Sequence, residues 1–315
     1  MSTLLLTHSC FVDHDTGYGH PERADRMRAL DQVFSHEAFG ELVREEAPLR
    51  DDMESAVVRA HPQAYYDAIE RVKPAPDGET VRLDGDTVMS PGSWQAVCRA
   101  VGAGLEAVDR VMDPDGLVRN AFCQVRPPGH HAEQQTAMGF CVFNSIAIAA
   151  MYAREAYGLD RVAVVDFDVH HGNGTQDIFW ADKDLFFGST HQMPLYPGTG
   201  AVNETGQGNI CNAPLRPNDD GGPFRDAFES RILASLDVFA PDLILISAGF
   251  DAHEADPLAN LRLVEADFSW ATKKLLDAAD RHCDGRVVSM LEGGYDLAGL
   301  AKSAAVHVKA LMDAG

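Results

Sequence analysis

Short apolar runs recur along the chain at residues 4–7, 121–125, 162–165, 185–187, 243–246 and 287–291. Runs this short, without strict alternation, predict strands buried on both faces. Longer stretches with helical periodicity occupy residues 26–39, 62–72, 92–111, 145–157, 224–239, 266–283 and 297–312. Turn-forming residues collect at 74–78 and 84–86. Beyond residue 120, strand and helix alternate regularly. That rhythm predicts an α/β fold: a central parallel β-sheet flanked by helices on both faces. No internal repeat, low-complexity linker or break in composition divides residues 1–315, so a single domain is expected.

Composition narrows the class. With 45% hydrophobic and 23% charged residues, the chain is expected to be a soluble globular protein. No apolar run approaches the roughly 18 residues of a membrane span. The opening MSTLLLTHSC lacks the basic start and long apolar core of a signal peptide. Six scattered cysteines (Cys10, Cys98, Cys123, Cys141, Cys211 and Cys283) form no CxxC pair. They argue against a disulfide framework and a thiolate zinc site, and they predict a cytoplasmic enzyme. A net charge of −22 makes nucleic acid a poor partner. The same charge either attracts a cationic substrate or serves solubility, and the sequence leaves both open.

In parallel α/β sheets ligands bind beyond the carboxyl ends of the strands. Four of the five predicted strands after residue 120 end in chemistry-bearing residues. They are followed by RPPGHH (126–131), DFDVHHGNG (166–174), SAGFDAHEADP (247–257) and EGGYD (292–296). If the strand at 162–165 continues briefly, Asp166, Asp168 and His170 share one side of it. Carboxylate oxygen with imidazole nitrogen suits zinc, and Asp251 at another strand end is the natural third ligand. Three protein ligands leave a position open, as in catalytic sites. Asp166 then stands behind the ligands. His130 and His131, stiffened by the prolines before them, are candidates for the acid and base that such hydrolysis needs. Tyr295, after two glycines, can aim its hydroxyl at a developing oxyanion.

These motifs, in this order, resemble the histone deacetylase superfamily. They are most similar to its class II enzymes and to bacterial histone-deacetylase-like amidohydrolases. GHPERADR (19–26), GFC (139–141) and YPGTG (196–200) fit the same pattern, so the resemblance spans residues 19–296. It implies the arginase/deacetylase fold, one zinc at Asp168, His170 and Asp251, and His130 and His131 as the acid–base pair, with Tyr295 polarising the amide carbonyl. It further implies that Asp166 orients His130 and that Asn173 contacts His131. Many relatives have aspartate where Asn173 stands; an amide supplies no charge, so His131 should hold a proton less readily. By the same resemblance, Phe140, next to Gly139, and Tyr196 are the aromatic walls around the substrate stem. Arg26 resembles the arginine of an internal acetate channel. A structural potassium is implied at Asp166, Asp168, His170 and Ser189.

The expected activity is zinc-dependent hydrolysis of an N-acyl, chiefly N-acetyl, amide of a primary amine. Acetyl-lysine and small acetylated amines are the candidate substrates, and self-association into a homo-oligomer is left open. Polyamine-deacetylating class II relatives carry glutamate after the Asp-Pro pair. Here Leu258 follows Asp256-Pro257, which lowers the case for an acetylpolyamine amidohydrolase without removing it. A two-manganese ureohydrolase of the arginase type needs a second aspartate where Gly172 stands. A non-catalytic acetyl-amine binder would not need Tyr295.

Overall fold

The computed structural model describes residues 2–315. Its strands are β1 (Ser2–Thr7), β2 (Val43–Glu46), β3 (Val81–Arg82), β4 (Val88–Met89) and β5 (Val118–Cys123). They continue with β6 (Val162–Asp166), β7 (Leu185–Gln192), β8 (Ile210–Leu215), β9 (Leu243–Ala248) and β10 (Val287–Leu291). The helices begin with α1 (Asp25–Phe34), α2 (Met53–Val57), α3 (Gln63–Val72), α4 (Ser93–Met112) and α5 (Ser145–Tyr157). After them come α6 (Asn173–Phe179), α7 (Gly221–Ala227), α8 (Ala234–Phe239), α9 (Glu265–His282) and α10 (Leu297–Ala314).

β3 and β4 pair as a small antiparallel ribbon. The other eight strands form one parallel sheet in the order β2-β1-β5-β10-β9-β6-β7-β8. β6, β9 and β10 are buried at every position, so both faces of the sheet are covered, as their unbroken apolar runs predict. α4 packs on α5, and α1 and α9 pack on α10. Among the described residues no helix is long and apolar enough to cross a membrane, and all six cysteines are free and buried.

Departures from the sequence pattern have local causes. β2 (VREE) buries only alternate positions halfway, and β8 contains Asn212 and Pro214, so neither reads as an apolar run. Both are edge strands, where a missing N–H costs no ladder bond. β7 runs on through Ser189, Thr190 and His191, which are buried although polar. β5 stops at Cys123 rather than residue 125. The stretch 26–39 is helical only to Phe34, and a separate 3-10 turn covers Glu37–Phe39. The stretch 224–239 is not one α-helix: a π-helical segment, Phe228–Leu233, separates α7 from α8.

Candidate active site

The four motif-bearing strands lie side by side in the sheet as β5-β10-β9-β6. Their carboxyl ends therefore open onto one place. β6 ends at Asp166, and the chain then turns on its own carboxylates. Asp168 N–H donates to Asp166 Oδ1 (3.0 Å), and His170 N–H donates to Asp168 Oδ1 (2.9 Å). The expectation that Asp166, Asp168 and His170 share one face of a continuing strand is thus corrected. Side-chain acceptors have replaced the ladder. The turn still brings His170 Nδ1 to 3.2 Å from Asp168 Oδ1 and 3.1 Å from Asp251 Oδ2.

Donor atoms of Asp168, His170 and Asp251 all lie within 4.8 Å of one another, and all three residues are buried. Val169 N–H donates to Asp251 Oδ1 (2.9 Å) and Gly293 N–H to Asp168 Oδ2 (2.8 Å), which fixes both carboxylates. A β-carbon at Gly293 would overlap Asp251 Oδ2, so this close approach requires glycine. Burial opposes charging His170, yet Asp168 and Asp251 draw it up to about 10. So dense a negative charge is met by that proton or by a divalent cation with neutral imidazole as ligand. Two carboxylates and one imidazole fit zinc chemically.

The His130 and His131 rings lie against each other with centroids 4.0 Å apart and planes tilted by 44°. His130 Nδ1–H donates to Asp166 Oδ2 (2.9 Å). Burial works against its charged form, but Asp166, Asp168 and Glu292 outweigh that and raise it to about 10. His131 differs. Burial, followed by the charges of His130 and His170, holds it well below the usual imidazole range. Asn173 sends its amide N–H to Glu133 (2.8 Å), which turns its oxygen toward His131 Nδ1 at 2.8 Å. His131 therefore carries its proton on Nδ1 and keeps a lone pair on Nε2.

The Tyr295 loop hangs on Asp256, whose Oδ2 accepts the N–H of Tyr295 (2.7 Å) and of Asp296 (3.2 Å). Among the described residues the Tyr295 hydroxyl has no hydrogen-bond partner. Burial, helped by Asp251 and Asp168 against Arg26, holds its pKa well above 10, so it is a neutral donor.

His131, His170 and Tyr295 line a cavity of about 220 Å³ together with Gly139, Phe140, Tyr196 and Leu258. Asp166 and Asn173 stand behind it as partners of the histidines. Arg26 does not line it: it is fully buried beneath the Tyr295 ring, 5.1 Å from its centroid. Ser189 pairs in register with Asp166 on the neighbouring strand, and its hydroxyl meets His191 Nδ1 at 2.9 Å.

Two lining residues, Asp86 and Leu195, escape the sequence reading. Asp84-Gly85-Asp86 reads as a turn, and its Asp84 carboxylate does cap one by accepting the N–H of Asp86 and Thr87. Thr87 also offers a clue visible only in space, since its Oγ1 accepts Phe140 N–H at 3.0 Å.

The profile of the histone deacetylase domain matches residues 20–311. The chain belongs to the histone deacetylase family. A histone deacetylase-like amidohydrolase of Pseudomonas aeruginosa is 37% identical, over 93% of this chain and 77% of its own. A chloroplastic histone deacetylase 10 of Oryza sativa is 38% identical, over 98% of this chain and 71% of its own. The crystal structure of the HDA15 HD domain superposes with a TM-score of 0.91 at 33% identity, covering 99% of this chain and 88% of that one. The parallel sheet described above is the arginase/deacetylase fold of the histone deacetylases, and membership makes the protein a hydrolase of the deacetylase and amidohydrolase kind. All four strand-end motifs fall within the matched histone deacetylase region.

Proposed function

We propose that the protein is a zinc-dependent amidohydrolase that removes a short acyl group, acetyl foremost, from a primary amine. One observation carries this. A single small cavity gathers one residue of the metal-binding triad, a histidine with a free Nε2 and a phenol without a protein partner. Zinc held by Asp168, His170 and Asp251 would supply Lewis acidity to the amide carbonyl and the attacking water. His131 Nε2 takes the proton from that water, while Asn173 keeps Nδ1–H in place. His130, paired to Asp166, stands beside it as a cation and steadies the developing negative charge. The Tyr295 hydroxyl donates to the oxyanion as the carbonyl becomes tetrahedral, and an imidazolium proton passes to the departing amine. Phe140 and Tyr196 flank the stem of the substrate. Potassium at Asp166, Asp168, His170 and Ser189 would serve structure alone.

Asp168, His170 and Asp251 form the one group of three close metal donors among the described residues, which favours one zinc over two manganese ions. An acetylated polyamine is the second candidate substrate, supported by the Asp86 carboxylate on the cavity wall. The decisive measurement pairs metal analysis with turnover of acetyl-lysine peptides, acetylputrescine and acetylspermidine. One zinc per chain and the highest kcat/KM on acetyl-lysine are expected. Asp251→Ala should lose zinc and activity together; full zinc occupancy in that variant would refute the ligand assignment.

A further inference from the structure

Two buried carboxylates outside the metal triad grip the histidine turn at its two ends. At its start, Glu22 takes Arg126 as a bidentate pair (Nη2 to Oε2, 2.7 Å), and Arg126 also donates to Phe11 O (2.7 Å). At its end, Glu292 Oε2 accepts the backbone N–H of Gly129 (2.7 Å) and of His130 (3.1 Å). Arg26 closes the circuit. It donates to Glu22 Oε1 (3.1 Å), to Gly294 O (2.7 Å) and to the backbone carbonyl of Glu292. None of these side chains is more than 2% exposed.

Glu292 is the member that faces both ways. Its carboxylate reaches from the end of β10 to the turn after β5, the adjacent strand. Its own backbone leads straight into Gly293-Gly294-Tyr295. Among the described residues no Lys or Arg side chain lies within salt-bridge distance of it. Burying a carboxylate with no Lys or Arg partner is costly, and the nearby His130 imidazolium offsets part of that cost. Here the charge is held by two backbone N–H groups and the Ser247 hydroxyl at 3.4 Å.

We propose that Glu292 is a positioning residue, whose carboxylate sets the His130–His131 turn at a fixed height against the Tyr295 loop. The inference rests on the assignment of those three residues to the chemistry proposed above. Displacing a reacting group by about 1 Å costs on the order of 10²-fold in rate. Alanine leaves two buried N–H groups without an acceptor and frees the turn. Glutamine keeps the reach and one acceptor oxygen. Aspartate keeps the charge but falls a methylene short.

The test compares Glu292→Ala, Glu292→Gln, Glu292→Asp and Tyr295→Phe in zinc-loaded protein. It measures kcat, KM, metal content and the imidazole N–H signals of His130 and His131 by NMR. Glu292→Ala and Glu292→Asp are expected to lose about 10²-fold in kcat, with KM within about threefold and metal retained. Glu292→Gln should recover at least about tenfold of that loss, with both imidazole N–H signals near their wild-type positions. Wild-type kcat in Glu292→Ala overturns the proposal. So does an aspartate variant that works where glutamine fails, because charge rather than reach would then be the cause. A fully active Tyr295→Phe variant refutes the catalytic assignment instead. The histidine signals then still decide whether Glu292 positions the turn. If the alanine variant does not fold, the glutamine and aspartate pair carries the same decision.

Discussion

A single oxygen separates Tyr295 from a phenylalanine that would fill the same volume. Its backbone is pinned by Asp256 and its ring lies over Arg26, so Tyr295→Phe leaves every described contact of the loop intact. Only the hydroxyl without a protein partner is lost. The variant should keep its fold and its metal while kcat falls on the order of 10²- to 10³-fold, roughly 3–4 kcal/mol. Steady-state kinetics beside a thermal melt checks this, and a kcat near wild type would make Tyr295 a packing residue. Candidate residues divide by legibility. Tyr295, Asp251 and the histidine pair can be picked from sequence because few buried structures need such residues at consecutive strand ends. Glu22 and Glu292 cannot, because a glutamate gains meaning only from the N–H groups and guanidinium that the fold brings to it.

Elements were legible where composition alone decides them. β10 and α5 have the bounds that their apolar patterns predict. Turns built by side chains were not legible, and the segment after β6 is the clearest case. Asp166 and Asp168 look like continuing strand until their carboxylates are seen capping the next N–H groups. The Met138–Cys141 hairpin is another. Met138 and Cys141 exchange both backbone bonds (3.2 and 2.9 Å), and the two residues between them, Gly139 (φ 56°) and Phe140 (φ 70°), are both left-handed. Such a turn projects Phe140 into the cavity and lays Gly139 against the His131 ring. Gly139→Ala adds strain of about 1 kcal/mol from the backbone, and its β-carbon would sit on that ring. A lower melting temperature is expected, together with a kcat loss of about tenfold or more as His131 shifts. Unchanged kcat would show that the ring has room to move.

Across the whole molecule, buried neutral histidines tie stability to pH. Burial lowers His14 to about 4, His61 to about 4 and His307 to about 3. His61 shows why neutrality suits the fold: Nδ1–H donates to Gln134 O (3.1 Å) and Nε2 accepts Asn144 N–H (3.0 Å). His307 does likewise between Thr272 (2.7 Å) and Ser289 (2.8 Å). An unfolded chain protonates these rings from about pH 6.5 downward, and the folded chain does not until about pH 4. Stability is therefore fully present above pH 6.5 and falls toward pH 4, by at most about 1.4 kcal/mol per pH unit for each histidine. Urea unfolding at pH 7 and pH 5 measures the slope, and His307→Leu should remove its share. A slope left unchanged by His307→Leu would mean that this ring is charged in the folded protein.

The same scale hides what no local pattern reveals. The motifs follow one another in the chain on β5, β6, β9 and β10, but in space β10 is laid between β5 and β9. That placement bears on how the protein is made. During synthesis Asp168 and His170 emerge long before Asp251, and Tyr295 comes later still. A chain grown that far holds one carboxylate and one imidazole donor without the second carboxylate. Its sheet also keeps an open slot between β5 and β9, with unpaired edges until β10 arrives. The strand that closes the sheet is the strand that completes the site. A nascent chain consequently lacks the assembled cavity until β10 and Tyr295 have left the ribosome.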